Sequence, residues 1–146
     1  MSELTDFDEM YQEIVLDHYR SPRNKSKLSG NFLETKSYNP FCGDEIELQL
    51  SINDGNLEDI SVTGRGCAIS QSSGSLMSEV VISKSINEIK EIILIIRSLL
   101  KNEEVQEEDL DRLGDAFAIE GVKKFPVRIK CALLSWVALK DLIDQY

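Results

Sequence analysis

Residues 45–63 read EIELQLSINDGNLEDISVT, and their pattern decides the kind of fold to expect. Ile46, Leu48, Leu50 and Ile52 alternate with Glu45, Glu47, Gln49 and Ser51. Successive side chains of an extended chain point to opposite faces, so this spacing predicts a strand with one apolar and one polar face. Asn53-Asp54-Gly55-Asn56 follows, and an Asp-Gly pair tolerates the left-handed backbone that a two-residue hairpin turn requires. The chain then returns from Leu57 to Thr63, with Ile60 and Val62 directed at the core. Tyr38 and its neighbours are available as a third strand. A small antiparallel sheet is the expectation.

Each end of this hairpin leads to a cysteine. Upstream, Asn39-Pro40-Phe41-Cys42-Gly43-Asp44 places a thiol and a carboxylate two residues apart on a glycine-bearing turn. Downstream, Gly64-Arg65-Gly66-Cys67 allows a tight backbone path into a helix. Ile69, Leu76, Met77, Val80 and Val81 recur at helical spacing among serines and Gly74, which predicts a closely packed helix. Its N-terminus would lie near the Cys67 sulfur, where the helix dipole favours a thiolate. Ser85 and Glu88 form a capping box that opens a second helix to about Leu100, burying Ile89, Ile92, Ile93, Ile96, Leu99 and Leu100.

Residues 101–112 are charged, with a short helix expected around Glu107 to Leu113, and 114–121 are an apolar insert between two glycines. Phe125-Pro126 is read as the start of the last helix, packed through Ile129, Leu133, Trp136, Val137 and Leu142. Cys131 falls in its first two turns, with Arg128 one turn before it. Before the sheet, residues 5–20 predict a helix capped at Thr5 with Asp8, whose face is Phe7, Met10, Tyr11, Ile14 and His18. His18, the one histidine, lies in line with that apolar face and reads as a core-edge histidine satisfied by hydrogen bonds rather than as a ligand. Ser21-Pro22 ends the helix, and residues 24–35 read as irregular.

A chain of 146 residues is long enough to bury a core and short enough for one domain, here taken as 1–146. No apolar run reaches about 18 residues, which argues against a membrane span. The start, Met-Ser-Glu-Leu-Thr-Asp, resembles neither a secretory signal nor a transit peptide. The three cysteines cannot all pair with one another, so a reducing, cytoplasmic location is expected. A net charge of −10 repels phosphate backbones and argues against nucleic acid as a partner. The acidic run at 103–111 reads as a solvated face, while Lys123, Lys124, Arg128 and Lys130 cluster just before Cys131.

The three cysteines lack any C-x-x-C pair, and a buried free cysteine is ordinarily a small hydrophobe. Against that, each sits at a turn or helix start, two neighbour glycine, and Asp44 can share an ion with Cys42 across a tight turn. Three thiolates and a carboxylate form a tetrahedral set suited to Zn²⁺, and thiolates also suit iron–sulfur chemistry. Around Zn²⁺ such a set leaves two negative charges uncompensated, which Arg65, Arg128 or Lys130 would offset. Residues alone leave both the shared site and the ordinary buried cysteines open.

The segments NPFCGDEIEL, GRGCAISQSSGSLMSE and KKFPVRIKCALLSW, in that order, resemble the IscU/SufU/NifU N-terminal scaffold family of iron–sulfur cluster assembly proteins. The resemblance runs from IVLDHYRSPRN to the last helix. It implies an α+β fold in which a three-stranded antiparallel sheet is surrounded by helices. It also implies a site at one exposed end that binds Zn²⁺ or a nascent cluster through Cys42, Asp44, Cys67 and Cys131. Lys130 stands where classical IscU proteins carry a histidine, Lys123-Lys124-Phe125-Pro126-Val127 lacks their double proline, and GDAFAIEGVKKFP is similar to the insertion of the SufU branch.

SufU-like proteins accept sulfur from a PLP-dependent cysteine desulfurase as a persulfide on the first cysteine, here Cys42. The resemblance implies that a desulfurase histidine takes over a zinc position and releases that thiolate. Downstream iron–sulfur carriers or apo-protein acceptors would receive the sulfur. Three readings are therefore carried forward: a zinc-bound sulfur acceptor, a scaffold for a transient [2Fe–2S] cluster on Cys42, Cys67 and Cys131, and a structural zinc domain that binds proteins.

Overall fold

A computed structural model describes residues 9–40 and 43–146. The expected cap at Thr5 and Asp8, Phe7 on the first helix, and Cys42 all lie outside the described residues. The elements run α1 (Glu9–Arg20), β1 (Leu33–Asn39), β2 (Asp44–Asn53), β3 (Asn56–Arg65), α2 (Ala68–Val81), α3 (Ile86–Leu100), α4 (Glu107–Asp111) and α5 (Ile129–Asp144). A 3₁₀ stretch, Gly114–Lys124, and a 3₁₀ turn, Pro126–Arg128, connect α4 to α5. This is an α+β fold built on one three-stranded antiparallel sheet in the order β1-β2-β3.

The central hairpin forms as its pattern dictates. Asp54 and Gly55 both take positive φ, 52° and 76°, the left-handed pair of a tight hairpin turn. Leu48 lies opposite Val62 and Leu50 opposite Ile60. Ile46, Leu48, Leu50, Leu57 and Ile60 are at most 1% exposed. Burying each such side chain contributes about 1.5–3 kcal/mol, and a one-residue slip would turn the whole set to solvent, so the register is firmly specified. On the polar face Glu45, Glu47 and Ser51 stay partly exposed, and only Gln49 is covered. Gln49 is buried and its Oε1 accepts from the Leu28 amide at 2.8 Å, which ties the 24–32 segment across the sheet.

β1 begins at Leu33, inside the stretch expected to be irregular. Its inward positions are Leu33, Thr35, Ser37 and Asn39, mostly small and polar, so no hydrophobic alternation marked it as a strand. Its pairing with β2 brings Asn39 opposite Asp44.

α2 packs as its composition suggests. Ser70, Ser72, Ser73, Ser75 and Ser78 are all buried. A Cβ at Gly74 would meet Val62 Cγ1 at 3.0 Å and Ser135 Cβ at 3.6 Å, so the bare glycine lets the helix lie close to both β3 and α5. The serines bond across the interfaces. Ser72 donates to the Val15 carbonyl of α1 at 2.8 Å, and Ser73 Oγ accepts from Trp136 Nε1 of α5 at 2.9 Å.

α3 opens with the expected box: Ser85 Oγ accepts from the Glu88 amide at 3.2 Å and Glu88 Oε1 from the Ser85 amide at 3.4 Å. The loop before it is pinned to the hairpin by Ile86 N–H to the Gly55 carbonyl and Leu57 N–H to the Lys84 carbonyl, both 2.9 Å.

The last helix differs from expectation in two ways. Pro126 starts a 3₁₀ turn, and the α-helix proper begins at Ile129. Val137 is 40% exposed, because the neighbouring Trp136 takes the inward direction and the next residue lies about 100° further round the helix. The acidic run behaves as read, with Glu103, Glu104, Glu107, Glu108 and Asp111 exposed.

Candidate metal centre

Three elements converge at one end of the sheet. Asp44 is the first residue of β2, Cys67 is the N-cap of α2, and Cys131 is the third residue of α5. One ligand atom from each lies within 4.8 Å of the others. Asp44 and Cys131 are fully buried while Cys67 is partly exposed, so the cluster meets solvent on the Cys67 side. Cys42 lies outside the described residues. On either side of residues 41–42, the Gly43 amide donates to the Asn39 carbonyl at 2.9 Å and Gly43 takes φ +68°.

A buried carboxylate is costly unless it is hydrogen-bonded. Asp44 meets that need locally: its Oδ1 accepts from the Cys67 amide at 2.9 Å, a donor left without a helical partner at the start of α2. Its Oδ2 lies 3.9 Å from Cys67 Sγ. One oxygen is therefore engaged by the protein and the other faces the sulfur. Gly66 makes the approach possible, since a Cβ there would fall inside van der Waals contact with Asp44 Oδ1. Cys131 Sγ has a donor of its own, the Asn39 side-chain amide at 3.7 Å.

Arg65 was a candidate to offset the charge of the cluster. Its side chain is 84% exposed and bonds Glu45 Oε2 at 3.2 Å, the acid one residue beyond Asp44. Lys123 pairs with Glu120 at 3.4 Å.

His18 belongs elsewhere, as its place in the helix pattern implied. It is 2% exposed, with Nδ1 2.7 Å from Ser75 Oγ and Nε2 3.3 Å from Glu79 Oε1. The Arg23 amide also donates to Ser75 Oγ, at 2.9 Å. A neutral ring that donates from Nε2 to Glu79 and accepts the Ser75 proton at Nδ1 satisfies every group. Burial, and then the Arg23 charge, hold its pKa below the ordinary 6.5, against the opposing pull of Glu79, Asp17 and Asp115.

The unfolded chain therefore binds this proton at higher pH than the native protein does. Stability from His18 is complete above pH 6.5 and is lost as the pH falls from there through the lower native value. Denaturant midpoints should drop across that window in the wild type. They should drop less in His18→Gln; parallel profiles for the two would refute the assignment.

The model of the NifU-like N-terminal domain family matches residues 10–132. The chain is 38% identical over 140 residues to the zinc-dependent sulfurtransferase SufU of Bacillus subtilis (strain 168), covering 96% of this chain and 93% of that one. It is 37% identical over 144 residues to the iron–sulfur cluster assembly scaffold protein IscU of Streptococcus pyogenes serotype M1, covering 97% and 87%. Among solved structures, a candidate cluster assembly scaffold protein for the SUF system from Fervidobacterium islandicum AW-1 superposes with a TM-score of 0.85. That alignment is at 27% identity, over 95% of this chain and 97% of the other.

Proposed function

The chain belongs to the NifU-like N-terminal domain family, and on that premise we propose that it serves iron–sulfur cluster assembly as a zinc-dependent sulfur acceptor. The observation that carries the reading is the convergence of Asp44, Cys67 and Cys131 within 4.8 Å. Cys42, two residues before Asp44 in sequence, supplies the fourth donor. Three sulfurs and one oxygen, with the second carboxylate oxygen already held by an amide, fit Zn²⁺. Zinc bound there keeps the thiols deprotonated at neutral pH and lowers their nucleophilicity.

The protein's own residues divide the remaining work. Cys67 and Cys131 are held by the starts of two helices and anchor the site. Asp44 links β2 to the first turn of α2 and fixes the carboxylate beside the sulfurs. Cys42 is the acceptor. Its thiolate attacks the outer sulfur of a persulfide on a PLP-dependent cysteine desulfurase. The S–S bond of that persulfide breaks, its electron pair leaves with the desulfurase cysteine as thiolate, and Cys42 becomes the persulfide. No net oxidation occurs. A second exchange of the same kind passes the sulfur to an iron–sulfur carrier or an apo-protein.

The test combines metal analysis with sulfur labelling. The purified protein is expected to be colourless and to carry zinc stoichiometric with the chain. With a desulfurase and cysteine, the wild type should gain a persulfide and stimulate sulfur release, while Cys42→Ala folds and does neither. Normal stimulation by Cys42→Ala would overturn the assignment. A brown protein holding iron and sulfide would instead favour the scaffold reading, which the IscU relatives support and in which a [2Fe–2S] cluster is the cargo of the same residues.

A further inference from the structure

Asn39 connects three parts of the site at once. It ends β1 opposite Asp44, the first residue of β2. Its backbone carbonyl accepts at 2.9 Å from the amide of Gly43, the residue next to Cys42 in sequence. Its side-chain Nδ2 donates to Cys131 Sγ at 3.7 Å across 92 positions of sequence, and the residue is only 6% exposed. A strand end facing solvent needs no amide. One buried against a sulfur has a donor to place, and a sulfur that carries negative charge is the acceptor that makes best use of it.

We infer that Asn39 is the positioning residue of the metal centre: its side-chain amide orients the Cys131 sulfur and draws charge off it, while its backbone carbonyl holds the Gly43 amide. This rests on the zinc reading above. The physical basis is general. A donor to a ligating thiolate draws charge off the sulfur and fixes its direction, and loss of such outer contacts typically costs about 10–100-fold in metal affinity. The centre would otherwise hold more negative charge than a zinc ion offsets, so a neutral donor is a better neighbour than a second acid. The side chain is thus matched to the site by its chemistry, while its backbone role would be open to many residues.

Asn39→Leu keeps the branched shape and removes the donor; Asn39→Ala serves if leucine prevents folding. Each is loaded with Co²⁺ and, separately, Zn²⁺, and compared with the wild type. Without the N–H the sulfur electrons rise in energy, so the sulfur-to-cobalt charge-transfer band is expected to move to longer wavelength. Zinc should transfer to a competing chelator with an affinity lower by about 10-fold or more. The thermal midpoint separates this from general loosening, because a merely structural residue would lower the midpoint and leave the band in place. An unmoved band with unchanged zinc affinity, in a wild type that binds metal, overturns the inference. A wild type that binds neither metal overturns the zinc reading, and this inference with it.

Discussion

On the proposed zinc site, Gly66→Ala is expected to abolish most metal binding while leaving most of the fold intact. The φ of Gly66 is +152°, a region that residues with a side chain avoid. The new methyl would lie inside contact distance of Asp44 Oδ1 and 2.8 Å from Ser70 Oγ. Neither neighbour is the far end of a long, flexible chain. Asp44 is fully buried, and Oδ1 is the oxygen bonded to the Cys67 amide. Relief requires the carboxylate to swing away, which breaks that bond and removes the oxygen donor beside the sulfurs.

Zinc affinity by chelator competition should fall by about 100-fold, the upper range for a disturbed ligand environment. The control is Gly30→Ala. Gly30 also has positive φ, +79°, but nothing lies within 4 Å of its would-be Cβ. That change carries only backbone strain of about 1–3 kcal/mol and should leave metal affinity unaltered. If Gly66→Ala bound zinc as the wild type does, the close packing of Gly66 on Asp44 would have no part in building the site.

The second large effect is on the core. Trp136 is fully buried on α5, and its Nε1 donates to Ser73 Oγ of α2 at 2.9 Å. Ser73 Oγ in turn donates to the Ala132 carbonyl, so the indole also orders a hydroxyl that would otherwise be poorly satisfied. Trp136→Ala removes the largest buried side chain and this donor together. The expected loss is about 3–5 kcal/mol, against a total stability of about 5–15 kcal/mol for a domain of this kind. Trp136→Phe keeps most of the apolar volume and loses the donor, so about 1–3 kcal/mol is expected. Urea denaturation of the two variants measures both. A Trp136→Phe loss as large as that of Trp136→Ala would mean that the hydrogen bond, not the packing, dominates.

α5 carries both Cys131 and Trp136, five residues apart, so stability and metal binding are coupled through this helix. Metal added to Trp136→Phe should recover part of its lost stability, because a ligand that binds only the native state stabilises it by mass action.

Much of this was legible in the chain itself. The β2–β3 hairpin follows from a period-2 pattern and an Asp-Gly turn. The start of α3 follows from Ser85 and Glu88, and the close packing of α2 from its serines and Gly74. The buried, hydrogen-bonded state of His18 follows from its position in line with an apolar face. Such features are local, because strand alternation, turn backbone and helix caps depend on residues within a few positions of one another. Cys42, Asp44, Cys67 and Cys131 stand out as candidates, but the residues alone leave a shared site and ordinary buried cysteines equally open, and only the resemblance of three ordered segments to a family joins them.

Other features required the chain to be folded. A third strand around Tyr38 is open to reading, but its start at Leu33 is not, because Thr35 and Ser37 on its inward side are small, polar and only partly buried, so pairing with β2 sets where β1 begins. Gln49 sits on the polar face of a strand yet is buried, because a distant segment brings the Leu28 amide to it. Val137 faces outward because Trp136 alongside it claims the core. At the candidate metal centre, the Asp44 carboxylate is set by an amide 23 residues away, and the Cys131 sulfur by an amide 92 residues away. Sequence determined which candidate ligands are present, three cysteines and an aspartate; tertiary structure decided which atoms of Asp44, Cys67 and Cys131 come together and what holds them, because those contacts join distant stretches that no local pattern relates.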